Sequence, residues 1–258
     1  MDLNLTDTRV VITAGANGIG LQIARAFIEE GARVCVCDVD PEAIAALQES
    51  DPSIYAVLAD VTDRPIISGF ISEAAEQMGG IDVLVNNAGI AGPTAKVEDV
   101  DPGDWAQTLD VCLTGQFTCV QAALPHLRES ENASIVNLSS AAGRFGFAMR
   151  TPYAAAKWGV IGLTKSLSIE LGPEGIRCNA ILPGLVAGDR IRRVIEAKAQ
   201  RRGMAFADAE AEALSKTSMR SYVTQRQLAD QILFLCSERG RTISGQAISI
   251  DADTQMLM

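Results

Sequence analysis

The chain is poor in the residues most often used to hold metals or to build hydrolytic triads. It has one histidine, His126. A Ser-His-Asp triad or a histidine metal centre therefore has almost nothing to be built from, and no metal is expected. Its six cysteines, at 35, 37, 112, 119, 178 and 236, form no C-x-x-C pair and mostly sit inside apolar strand or helix patterns. They read as buried thiols of a reducing, cytoplasmic compartment, neither ligands nor disulfides. Positive charge is scarce too: 22 Lys and Arg against 32 Asp and Glu give a formal net charge of -10. That balance speaks against nucleic acid, whose phosphates need clustered cations, and against an anionic membrane surface. No apolar run approaches the roughly 18 residues of a membrane-spanning helix. The start, MDLNLTDTR, lacks the basic and apolar segments of a signal peptide. What remains is a chain of 258 residues, 48% hydrophobic, long enough for one large α/β unit.

Strand and helix periods alternate along most of its length. Strands are expected at 9–13, 32–37, 54–59, 81–85, 134–138, 177–182 and 247–250. Helices are expected from 19 onward and at 41–49, 63–78, 104–127, 153–171 and 225–236. This alternation implies parallel β-α-β units with right-handed crossovers. The expected fold is α/β, a Rossmann-type doubly wound parallel seven-stranded sheet in three α-β-α layers, with 1–258 as a single domain. The clearest helix is 104–127, where Trp105, Leu109, Leu113, Phe117, Val120, Leu124 and Leu127 recur every three or four residues. Pro125 should kink or shorten it. The segment 188–217 breaks the rhythm with two polar helical pieces split near Gly203. Its place at the ligand edge reads as a substrate lid. It carries Arg190, Arg192, Arg193, Arg201 and Arg202. These suit an anionic substrate or a solvated face balanced by Glu196, Asp208, Glu210 and Glu212, and the nearby acids favour the second.

The strand 9–13 runs into Ala14-Gly15-Ala16-Asn17-Gly18-Ile19-Gly20 and then into a helix. Strand, glycine turn and helix N-terminus make a phosphate site, because the bare backbone approaches the ligand and free N–H groups point at it. Gly15, Asn17, Gly18, Ile19 and Gly20 are its candidate contacts. The next strand ends at Asp38, close to the ~20 residues beyond the turn at which a ribose carboxylate is expected. Asp38 would accept from both adenosine-ribose hydroxyls and repel a 2'-phosphate, which favours NAD over NADP. It could instead cap the next helix, but Asp40-Pro41-Glu42 already supplies cap, first-turn proline and acid. Asp60-Val61, Asn87 and Gly89, and Pro183-Gly184 also fall at strand ends, where such sheets bind ligands; ordinary turn chemistry is the alternative for each. Tyr153 and Lys157 lie four apart on one helix and so share a face. They could be a solvated pair, or an ammonium that favours the phenolate and readies the tyrosine for proton transfer. Ser140, at the end of strand 134–138, could hydrogen-bond the oxygen whose proton Tyr153 moves.

Taken together, Thr13 to Gly20, Asp38, Asp60, Asn86 to Gly89, Ser140 with Tyr153 and Lys157, and Pro183-Gly184 resemble the classical short-chain dehydrogenase/reductase family from Arg9 to Asp251. The resemblance implies hydride transfer between a nicotinamide and a carbinol carbon, with NAD as cofactor. It implies Tyr153 as general acid/base, Ser140 as the group positioning the substrate oxygen, and Lys157 on Tyr153 and the nicotinamide ribose. It also implies the amide and carbonyl of Val186 on the nicotinamide carboxamide, and a homo-oligomer, a tetramer or dimer, paired through helix 153–171. The implied substrate is a small secondary alcohol: a polyol, a sugar derivative or a hydroxy acid. The alternatives are a 3-oxoacyl-thioester reductase and a cofactor-binding scaffold with little turnover. Three positions depart from the family pattern. Ala14 stands where a glycine is usual, Cys112 where a helical asparagine helps relay a proton to the lysine, and Gly188 near the usual threonine.

Overall fold

The computed structural model describes residues 2–257, apart from the side chain of Arg190. Runs such as Val10-Val11-Ile12 are apolar without alternation because both faces of their strands are covered. They form β1 (Arg9–Thr13), β2 (Arg33–Asp38), β3 (Tyr55–Leu58), β4 (Val83–Asn86), β5 (Ser134–Leu138), β6 (Arg177–Pro183) and β7 (Ala247–Ile250). All pair in parallel in the order β3-β2-β1-β4-β5-β6-β7. The order reverses between β1 and β4, so Thr13 and Asn86 end side by side at the crevice where such sheets bind ligands.

Nine α-helices are present among the described residues: α1 (Gly18–Glu29), α2 (Pro41–Ser50), α3 (Arg64–Met78), α4 (Pro102–Leu109), α5 (Gly115–Leu127), α6 (Thr151–Leu171), α7 (Asp189–Arg202), α8 (Phe206–Leu214) and α9 (Gln225–Cys236). One core packs α1, α2 and α9 on one sheet face through Ile23, Phe27, Leu47, Leu228 and Ile232. The other packs α3, α5 and α6 on the opposite face through Ile67, Ile71, Val120, Leu127 and Leu167. All six cysteines are buried free thiols. Burial raises Cys35 to about 11 and Cys119, Cys178 and Cys236 to about 12. No helix among the described residues is long and apolar enough to cross a membrane.

Two expectations need correction. The stretch 104–127 is not one α-helix. Residues Asp110–Thr114 form a π-turn between α4 and α5, with the Gly115 N–H donating to the Asp110 carbonyl. The extra residue per turn rotates the apolar stripe, and Trp105 and Phe117 are left exposed. Pro125 does not end α5, which runs on to Leu127. The segment 188–217 does fold as two helices, divided by Gly203 at φ 62.

Candidate active site

The turn between β1 and α1 is built by exclusion. A Cβ on Gly15 would lie 2.5 Å from Val36 Cβ, and one on Gly20 would overlap the Ala14 carbonyl oxygen and crowd Asn87. Gly18 is different. Its φ is +55 and nothing lies within 4 Å of where a side chain would be. That open space faces the first turn of α1, whose N-cap Asn17 accepts from Gly18 N–H. Thr13 Oγ1 accepts from the amides of Asn87 and Ala88 at 3.0 Å each. Asn87 Nδ2 returns donors to the carbonyls of Thr13 (3.1 Å) and Ala14 (2.9 Å). The ends of β1 and β4 are thus tied across the switch point. Ala14 adopts φ +51, a left-handed conformation that glycine takes without penalty.

Asp38 is buried beside this turn and already holds three backbone N–H groups. Its Oδ2 accepts from Ala16 N–H at 3.1 Å, and its Oδ1 from Val39 N–H at 2.8 Å and Asp40 N–H at 3.2 Å. The helix cap of α2 is supplied by Asp40, as expected. Asp38 therefore joins the end of β2 to the glycine turn. A carboxylate has about four acceptor sites, so three bonds leave capacity for a further donor.

The end of β5 positions Ser139 and Ser140 differently. Ser139 Oγ is committed to the Lys157 carbonyl at 2.7 Å. Ser140 Oγ accepts from Ala142 N–H at 3.1 Å and stays partly exposed at the cavity wall. Gly143 lets this turn press on α6, since a Cβ there would meet Lys157 O at 2.6 Å. Lys157 is 3% exposed, and its Nζ donates to Leu138 O at 2.8 Å. The ammonium also lies 5.7 Å from the Tyr153 ring centroid, on the side of Gly89. Arg150 also reaches that ring, with Cζ 5.3 Å from its centroid and a hydrogen bond to Ala91 O. Two cations thus lie within cation–π range of the Tyr153 ring. Cys112 does not supply the amide of a relay: its buried Sγ donates to Ile90 O at 3.4 Å.

These groups share one cavity of about 560 Å³. Of the residues singled out from sequence, Asn17, Gly18, Ile19, Asn87, Gly89, Ser140, Tyr153, Lys157, Pro183, Gly184 and Val186 line it. Gly15 and Gly20 lie behind the turn, and Asp38 lies beside it. Asp60 is exposed, its Oδ1 taken by Thr62 N–H, and buried Val61 would crowd any side chain at Gly115. Gly184 is required because a Cβ would meet Asp251 Cα at 2.6 Å. Val186 bridges Val223 through its neighbours, Leu185 O and Ala187 N. Gly188 has φ +146 and would bring any side chain to 3.0 Å from Gln225 Nε2. Gln116 and the Leu138 carbonyl carry no signal in the sequence, which places Arg150 only as the end of a wall segment, 144–150. Arg150, three residues before Tyr153, was open to the same spacing argument that found Lys157. Gln116 Nε2 shares the Leu138 carbonyl at 3.2 Å, a contact with no sequence signature.

An open-sided glycine at a helix N-terminus, a carboxylate at the end of β2 and a tyrosine–lysine pair in one cavity fit a nicotinamide dinucleotide. Fold and site thus define a doubly wound, nicotinamide-dependent oxidoreductase. The comparisons give the family. A family model described as enoyl-(acyl carrier protein) reductase matches residues 13–252. The chain is 33% identical over 249 residues to cis-4-hydroxycyclohexanecarboxylate dehydrogenase of Sinomonas cyclohexanicum, covering 93% of this chain and 94% of that one. Among solved structures, NAD+-bound xylitol dehydrogenase superposes with a TM-score of 0.89 at 26% identity, covering 96% and 98% of the two chains. A variant of actinorhodin polyketide ketoreductase with NADPH gives 0.89 at 30% identity, covering 95% and 97%. The chain belongs to the classical short-chain dehydrogenase/reductase family and is an oxidoreductase of the CH–OH group.

Proposed function

We propose that the protein interconverts a secondary alcohol and its ketone with NAD as the preferred cofactor. The observation that carries this reading is the convergence of Ser140, Tyr153 and Lys157 on one cavity, with Asp38 hydrogen-bonded to the glycine turn. The first turn of α1 and the open side of Gly18 would hold the pyrophosphate. Asp38 would take an adenosine-ribose hydroxyl with its remaining acceptor capacity and disfavour a 2'-phosphate. Lys157 would bind the nicotinamide ribose, while the backbone of Val186 and the Pro183-Gly184 turn would hold the carboxamide side. Asn87 and Gly89 would border the ring, with Asp60 and Val61 toward the adenine side. When bound, the nicotinamide supplies the acceptor for the carbinol hydrogen and its electron pair.

Tyr153 holds or moves the alcohol proton at its phenolic oxygen, and Ser140 keeps the substrate oxygen beside it. Lys157, fixed by Leu138 O, supplies positive charge while that proton is in transit. Its ammonium is oriented by a strand-end carbonyl, so the cysteine at 112 leaves it in place. Helices α7 and α8 act as the substrate lid. The test is NAD+ and NADP+ reduction across a panel of secondary alcohols, repeated with Tyr153→Phe. Loss of about 10²–10⁴-fold in kcat with NADH affinity kept is the expected result; full activity in the variant refutes the assignment.

A second reading, a 3-oxoacyl-thioester reductase, is favoured by the description of the matching family model. It would pair with NADPH, so preference for that cofactor with a thioester substrate decides for it. Self-association rests on α6, which leaves Trp158 and Ile169 exposed at 52% and 80%; light scattering giving a monomer rules out the dimer or tetramer. The six buried thiols support a reducing, cytoplasmic setting.

A further inference from the structure

The protein is acidic overall, with net charge -10, yet its cavity is not. Arg150, Lys157, Arg193, Lys198 and Lys216 line it, and Asp189 is the one acid among its described lining residues. The lid cations divide into two sets. Arg192 pairs with Glu196 at 3.0 Å and Arg202 with Glu212 at 2.6 Å, as a solvated helix face would require. Lys198 also reaches Glu212, at 3.1 Å. Arg193 and Lys216 line the cavity and have no carboxylate partner among the described residues. Both are held by their backbones. Arg193 stands on α7, which is packed on α8 by the small core of Ile195, Ala199 and Ala209. Lys216 is half-buried, and its carbonyl accepts from Gln255 N–H at 2.8 Å. The same cavity is also lined by apolar side chains, among them Ile191, Val194 and Leu257.

We propose that Arg193 and Lys216 form an anion subsite in the lid, and that the substrate is a hydroxy carboxylate whose carboxylate they hold while its carbinol meets Tyr153. The assignment rests on the dehydrogenase reading and names its substrate class. A short apolar spacer between carbinol and carboxylate suits the apolar part of the cavity lining. The half-buried ammonium of Lys216 attracts an anion more strongly than an exposed one does, and Arg193, exposed at the cavity mouth, adds a charge-assisted donor.

The test compares 3-hydroxybutyrate, 4-hydroxypentanoate and 5-hydroxyhexanoate with their methyl esters, using the full chain and NAD+. In the wild type, kcat/KM for at least one acid should exceed that of its ester by tenfold or more, the worth of about one charge-assisted hydrogen bond. The excess should shrink with added salt. In Arg193→Gln and Lys216→Gln the acid-to-ester ratio should fall toward one, mainly through KM for the acid. Arg201→Gln, on α7 but outside the cavity lining, should keep the wild-type ratio. Both variants should bind NADH as the wild type does, by fluorescence titration. Three results overturn the proposal: esters turned over as well as acids, a ratio unchanged in both variants, or NADH affinity lost while the ratio holds. The last would assign the cations to the cofactor's phosphates. Turnover of neither acids nor esters would sink the dehydrogenase reading as well, whereas turnover of esters without a preference for acids sinks only the anion subsite.

Discussion

Replacing Asp38 by asparagine separates its structural bonds from its proposed cofactor role. The side chain keeps its shape but loses its charge and one acceptor oxygen. The remaining oxygen can serve Val39 and Asp40, whose amides share Oδ1. The new NH2 then faces the Ala16 N–H, donor against donor. Ala16 is 5% exposed, so water cannot easily replace the lost partner. Leaving a buried donor unpaired costs about 1–3 kcal/mol. In a chain of this size that lowers Tm by about 2–10 °C. The cofactor effect is separate. A unit charge pair 4 Å apart is worth about 1 kcal/mol in water and about 4 kcal/mol at an effective dielectric of 20. Removing the charge should therefore raise the NADP+ to NAD+ ratio of kcat/KM by at least about fivefold. The assays are cofactor kinetics at a fixed alcohol concentration and a thermal melt of the same preparation. A lowered Tm with an unchanged ratio would make Asp38 a strut of the glycine turn alone and remove the case for NAD preference.

The remaining predictions probe the turn and the acid limb of stability. Gly20→Ala should lower Tm by several degrees, because the new methyl meets the Ala14 carbonyl and Asn87 and overpacking costs about 1–3 kcal/mol. Gly18→Ala has room for its methyl but must hold φ +55, a left-handed strain of about 1 kcal/mol, so it should lower Tm by a few degrees and also weaken NADH binding in a fluorescence titration; unaltered affinity would remove Gly18 from the phosphate site. Ala14→Gly relieves a left-handed strain of about 1 kcal/mol but adds about 0.5–1 kcal/mol of backbone entropy. Its melt should therefore move by no more than about 2 °C. Burial pushes the Asp82 carboxyl up, but hydrogen bonds from Arg9 and Ser130 outweigh it and hold it below the usual range. A depressed folded-state value stabilises the protein above the unfolded pKa of about 3.9, and that stability is lost as pH falls through the lower value. Asp82→Asn should flatten the acid limb of urea unfolding measured between about pH 5 and pH 2; a slope equal to wild type would show that the pair with Arg9 contributes nothing.

The parts of the fold legible in the sequence are those decided by local periodicity. The strands at Arg9–Thr13 and Ala247–Ile250 and the helix Gln225–Cys236 fall where apolar spacing and caps put them. The glycine turn was legible for the same reason, since Gly15 and Gly20 answer a steric demand that strand, turn and helix impose together. The π-turn at Asp110–Thr114 was not, because Leu109, Leu113 and Phe117 satisfy an unbroken 3.6-residue period on paper. Its cause lies elsewhere in the chain. Gly115 packs against Val61 and Cys112 turns its thiol to Ile90, and neither partner is near in sequence.

The same division runs through the site. Tyr153 and Lys157 are neighbours because a helix makes them so, and any four-residue spacing would suggest it. What holds the ammonium in the cleft is the carbonyl of Leu138, nineteen residues away across the β5–α6 crossover. A backbone carbonyl carries no residue identity, so no reading of side chains could have found it. This also changes what Cys112 means. A lysine oriented by a relay amide would be loosened by a cysteine at that position. A lysine oriented by Leu138 O, itself shared with Gln116, keeps its place whatever stands at 112. The demanding substitution behind this cavity is therefore Gln116, buried and bonded to Leu138 O, whose loss leaves that carbonyl and Lys157 with one fewer constraint. Gln116→Leu should lower kcat more than it raises KM, and equal kcat in variant and wild type would return the orienting role to the helix alone.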